Sequence, residues 1–69
     1  MLSTEDQWTI AVRVTEDGIW RGSRNEITFG LRVMPSGRFH FYTEGSGARQ
    51  GDAATIGAAL FELDELLSR

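Results

Sequence analysis

Two alternating runs joined by a four-residue turn constrain this chain more than anything else in it. In "EITFGLRVM" (26–34), Ile27, Phe29, Leu31 and Val33 form one apolar row, while Thr28, Gly30, Arg32 and Met34 form the other. In "RFHFYTE" (38–44), Phe39 and Phe41 point to the apolar side, leaving Arg38, His40, Tyr42 and Glu44 on the opposite one. Alternation with period two is the mark of a half-buried strand. Between the runs lies "MPSG", where Pro35 presets φ at the second turn position and Gly37 closes the turn. A connection this short forces the two strands to pair antiparallel.

A sheet with one apolar face needs cover, and the C-terminal segment supplies it. In "GDAATIGAALFELDELLSR", Ala53, Ile56, Leu60, Leu63 and Leu67 recur at helical spacing, and Ala59 and Leu66 widen the stripe. Asp52 reads as the N-cap of a helix over about 53–68. Near the other end, "WTIAVRVT" alternates without a fault: Trp8, Ile10, Val12 and Val14 against Thr9, Ala11, Arg13 and Thr15. It reads as a further strand, ended by the turn "EDG". "IW" resumes strand character briefly, "RGSRNE" reads as a loop or wide bulge, and "TEGSGARQGD" as a long flexible loop.

The expected architecture is a single α+β domain over residues 1–69. Three antiparallel strands pack on one C-terminal helix in the order β-β-β-α, in two layers. Phe29, Leu31, Phe41, Leu60 and Leu63 are expected in the core. Trp20 and Phe61 each have two roles open to them, a lid on the core or an exposed anchor.

A 69-residue chain buries only about 60% of the surface that its unfolded form exposes, so its stability margin is thin. There is no cysteine, hence no disulfide and no cysteine-based metal site. A hydrophobic share of 41% with 25% charged residues is that of a globular chain. No apolar run is long enough to span a membrane. The start, "MLSTEDQW", lacks the basic and apolar regions of a signal peptide, so the expected location is a cytoplasm.

No nucleophile-and-base set can be assembled from one histidine and scattered Ser and Thr. His40 has no metal-ligating neighbours at a suitable spacing. "EGSGARQGD" has glycines but lacks the lysine of a phosphate loop. The chain is therefore expected to be no enzyme, with no catalytic, cofactor-binding or metal residues.

Two charged surfaces remain. The open sheet face should display Arg13, Arg32, Arg38, His40 and Tyr42, an arginine-and-aromatic set able to pair phosphates and stack bases. A net charge of −3 without any lysine weighs against nucleic acid, whose affinity is largely electrostatic. The second surface is acidic. Residues 52–69 carry Glu62, Asp64 and Glu65 on the helix, where carboxylates oppose the negative end of the dipole. Solubility needs only net charge, whereas a partner needs charge in one place. Glu62, Asp64 and Glu65, with Glu5, Asp6, Glu16 and Asp17 as contributors, are thus expected to bind a protein partner. The chain itself is expected to be a monomer or weak homodimer with no membrane partner.

In its size, its acidity, its lack of catalytic groups and the carboxylates Glu62, Asp64 and Glu65 on a C-terminal helix, the chain resembles the anti-CRISPR inhibitors of phages and mobile elements. That resemblance implies binding to a Cas protein or surveillance complex and obstruction of its nucleic-acid channel. "QGDAATIGAALFELDEL" is also similar to the entry into the helix of HicB-type antitoxins. In those the Gly-Asp follows an early "DG" turn sooner than it does here. The order of elements is similar, in topology only, to the three-strand-plus-helix DNA-binding domains of some integrases.

Overall fold

In a computed structural model of the chain, residues 2–45 and 47–68 are described. They form an α+β fold with two helices and four strands: α1 (Thr4–Asp17), β1 (Ile19–Arg24), β2 (Ile27–Val33), β3 (Phe39–Thr43), β4 (Gln50–Ala53) and α2 (Ile56–Leu67). The strands make one antiparallel meander in the order β1-β2-β3-β4. α1 packs on β1 and β2, and α2 on β3 and β4. The helices cover one face of the sheet and share one core with it.

The alternating hairpin and the C-terminal helix match the expectation. In the 34–37 turn the Gly37 N–H donates to the Met34 carbonyl at 2.8 Å, and Gly37 has φ +89°, a left-handed value that glycine adopts without steric cost. Phe29, Leu31, Phe41, Leu60 and Leu63 are all buried.

Three parts differ from the sequence reading. Residues Trp8–Thr15 are not a strand but lie within α1, whose ends are both capped. The Ser3 hydroxyl accepts from the Asp6 N–H at 3.0 Å, and Gly18, at φ +82°, donates its N–H to the Val14 carbonyl at 2.9 Å. On a helix, Ile10 and Val14 fall on one face and are buried, whereas Trp8 turns out to solvent. "RGSR" is no bulge but completes β1. Asn25 and Glu26, both at positive φ, turn the chain in two residues, as a type I′ hairpin requires. Finally, Gln50–Ala53 pairs with β3 as a short fourth strand. Asp52 lies in that strand, and Thr55 is the N-cap of α2, its hydroxyl accepting from the Ala58 N–H at 3.2 Å.

Two glycines let aromatic rings settle onto the sheet. A Cβ on Gly51 would sit 2.7 Å from the Phe41 ring, inside the core layer. A Cβ on Gly22 would sit 2.4 Å from the Trp20 ring, whose centroid is 5.1 Å from that of Phe29. Trp20 is therefore a half-buried lid on the core. Phe61 takes the other role and is 66% exposed.

Candidate protein-binding surface

The correction to α1 changes what the charges do. All seven carboxylates singled out from the sequence lie on the helix layer: Glu5, Asp6, Glu16 and Asp17 on α1, and Glu62, Asp64 and Glu65 on α2. The only arginine within either helix is Arg13. The start of α1 lies beside the last turns of α2, because the Leu2 N–H donates to the Asp64 carboxylate. That contact brings the acidic N-terminal turn of α1 toward the acidic end of α2.

The seven do not play one role. Asp6 makes a two-point contact with Arg24, at 2.6 Å to Nη2 and 3.1 Å to Nε. Hydrogen bonding from that guanidinium, against some desolvation, holds the Asp6 carboxyl down at about 2. Asp64 is tied to Leu2, and Asp17 lies 3.7 Å from Arg13 one helical turn away. These three contribute to the architecture. Glu5, Glu16, Glu62 and Glu65 are exposed and make no hydrogen bond or ion pair among the described residues.

Between those carboxylates stand the two most exposed aromatic side chains, Trp8 at 69% and Phe61 at 66%. Glu5, Trp8, Val12 and Glu16 follow one another at three- and four-residue steps, so they share one ridge of α1. Gly57, Phe61 and Glu65 do the same on α2. Each helix therefore presents an aromatic side chain flanked by a carboxylate. Trp8 is the residue that sequence reading missed. The capping signature at Ser3 and the glycine at position 18 were the signals that would have found it.

The sheet face assembles less of its expected set. Arg13 is absent from it, because it lies on α1. Arg38 donates to Asp52 at 2.7 Å, and Arg21, not foreseen, makes a two-point contact with Glu44 at 2.7 and 2.9 Å. These contacts lower the Asp52 carboxyl and raise the Arg21 guanidinium from their ordinary values. Tyr42 lies across the sheet over Gly30, where a Cβ would meet its hydroxyl at 2.4 Å, so its ring does not project as a stacking platform. The half-buried His40 stacks on Tyr42 and its Nε2 is 3.2 Å from the Gln50 amide oxygen. Arg32, opposite His40 in the register, is the one cation on this face without an ion pair among the described residues.

Among the described residues no group of three or more His, Asp or Glu side chains is placed to hold a metal ion. No helix there is long and apolar enough to cross a membrane. Comparison with protein-family models, with curated proteins and with solved structures returns no match.

Proposed function

We propose that this chain is a non-catalytic protein-binding domain that acts through its helix layer. The observation that carries this reading is the grouping there of seven of the chain's ten carboxylates with its two most exposed aromatic side chains. Aromatic side chains at the centre of an interface supply most of the binding energy, and the charged rim around them supplies orientation and rate. The partner that fits is a basic protein surface with apolar pockets. A nucleic-acid channel in a host protein has that character. The proposal therefore extends to a phage- or mobile-element-encoded inhibitor that works in the bacterial cytoplasm by occupying such a channel, as in a Cas surveillance complex.

The test is capture on the immobilised chain, identification of the retained protein, and titration of that purified partner. Trp8→Ser with Phe61→Ser should weaken binding by roughly 2 kcal/mol or more, as loss of aromatic anchors does. The folded variants should keep the wild-type circular dichroism. Equal binding by the double variant would refute the helix layer as the interface. In parallel, anisotropy titrations with single- and double-stranded DNA and RNA at two salt concentrations should show no salt-sensitive binding. Tight, salt-dependent binding there would move the function to the sheet face.

A further inference from the structure

The four-stranded sheet has two free edges, and they are not alike. On β1 the inner-facing Arg24 reaches Asp6 of α1, so a charge points inward at the sheet margin. An inward charge is one of the devices that keep edge strands from pairing with other chains. β4 has only its four-residue length, and Arg49 just before it, as protection, with no inward charge within the strand. Its inner-facing residues are Gly51 and Ala53, and its sequence, "QGDA", has no proline and no lysine.

The hydrogen-bonding direction along β4 follows from the ladder. The Glu44 N–H donates to the Thr28 carbonyl of the β2 side, and the Thr43 N–H to the Arg49 carbonyl on the β4 side. Antiparallel strands alternate the direction of successive residues. Arg49, Gly51 and Ala53 thus turn their backbone groups toward β3. Gln50 and Asp52 turn theirs to the open edge.

Beside that edge lies an open cleft of about 640 Å³ between β4 and α2. Leu66 and the Phe41 ring line its apolar part, Glu62 and Glu65 line its helix side, and Arg49 stands at the start of the strand. An added strand would alternate its side chains between the open sheet face and this cleft. The side chain suited to the cleft has an apolar stem to cover Leu66 and a cationic head to meet the two glutamates, as arginine and lysine do. A second copy of this chain fits poorly, because pairing β4 with β4 brings like-charged glutamates together.

We infer that the β4 edge accepts an extended peptide segment, with Arg or Lys at alternate positions, as a fifth strand of the sheet. This rests on the protein-binding reading above and names a mode of attachment for it. Its failure is separable, since the Trp8 and Phe61 variants probe the outer ridges of the helices and leave the edge intact.

The test uses the full chain labelled with ¹⁵N and a nine-residue capped peptide alternating Arg and Val. Amide shifts should centre on Gln50–Ala53 and on Glu62–Leu66. The Gln50 and Asp52 amides should gain hydrogen-exchange protection, while Gly51, already bonded to β3, changes little. Gln50→Pro removes an outward N–H and should weaken binding by about tenfold or more, as should Glu62→Arg with Glu65→Arg. A matched peptide with Glu in place of Arg should not bind. Should Gln50→Pro fail to fold, the glutamate variant and the protection pattern still decide the matter. Shifts centred on Trp8 and Phe61, equal binding of the Glu peptide, or no shift at millimolar peptide would each overturn the proposal. So would a dimer in sedimentation that Gln50→Pro dissociates.

Discussion

On the open face of the sheet, Arg21 of β1 reaches past β2 to Glu44 at the end of β3, and Arg38, just before β3, meets Asp52 of β4. On the helix layer, Glu5, Glu16, Glu62 and Glu65 meet no cation among the described residues, and Trp8 and Phe61 stand out beside them. Both surfaces are exposed and charged, yet on the sheet face Arg21 and Arg38 are paired and only Arg32 is not, whereas the helix layer leaves four carboxylates unpaired among the described residues. The difference teaches where an outside partner gains most. A partner at the sheet face must displace ion pairs already made, whereas one at the helix layer neutralises charge that has no local counterpart.

The largest effect should come from the core that both surfaces lean on. Phe29 and Leu63 are fully buried, one beneath the sheet and one on α2. Phe29→Ala or Leu63→Ala should cost about 3–5 kcal/mol, enough to leave little folded protein at room temperature. Urea unfolding midpoints measure this, and near-wild-type midpoints would mean that the two layers do not share one core.

Next in size, one substitution on each side of the sheet sharpens the contrast. Gly51→Ala pushes a methyl into the Phe41 ring, which is 4% exposed and held by the core, and should cost about 1–3 kcal/mol. Gly30→Ala pushes against Tyr42 on the solvent side, where the ring can swing away, and should change stability by less than about 0.5 kcal/mol. Tyrosine fluorescence should nevertheless change in the Gly30 variant as the ring leaves its position. Equal costs would erase the distinction between a packed side and an adjustable one.

Acid should act on the helix layer through Asp6. A carboxyl lowered in the folded state stabilises fully above its ordinary value of 3.8 and loses that contribution as pH falls toward about 2. Melting temperatures of wild type should therefore drop between about pH 4 and pH 2, and Asp6→Asn should flatten that drop while lowering the neutral-pH value. The Asp52–Arg38 pair on the sheet face has the same sign. An unchanged acid profile in Asp6→Asn would show that the pair with Arg24 adds nothing to folding.

The smallest effects are expected where the charges are unopposed. Glu62→Arg with Glu65→Arg should leave stability within about 1 kcal/mol of wild type or slightly raise it, because cations suit a helix C-terminus. His40→Ala removes a half-buried ring stacked on Tyr42 together with its contact to Gln50 and should cost about 0.5–1 kcal/mol. Thermal melts check both, and a large loss in the double variant would make those glutamates part of the fold rather than of a binding surface.

Much of this was legible in the chain itself. The β2–β3 hairpin, the stripe of α2 and five core residues follow from local periodicity, because each of those patterns has one apolar face and one way to bury it. The segment around α1 was not, because "WTIAVRVT" satisfies two periods at once. It alternates like a strand, but Ile10 and Val14 are also four residues apart, and its caps at Ser3 and Gly18 lie outside the alternating run. β1 was obscured for a different reason. Its inner positions Gly22 and Arg24 break the apolar row; the first is filled by the ring of Trp20 from the same strand, and the second meets the Asp6 carboxylate, which arrives from α1. β4 is four residues long and mostly polar, so it has no period of its own to read.

The sequence alone determined which residues are apolar at regular spacing, where tight turns fall, and how much charge of each sign the chain carries. Those are properties of neighbours along the chain. Only the tertiary structure decided which of two periods α1 obeys, which arginines meet carboxylates across strands, and that seven carboxylates gather on one layer. Each of these depends on contacts between residues far apart in sequence, such as Leu2 with Asp64 or Arg21 with Glu44, and on which surfaces the shared core leaves outside.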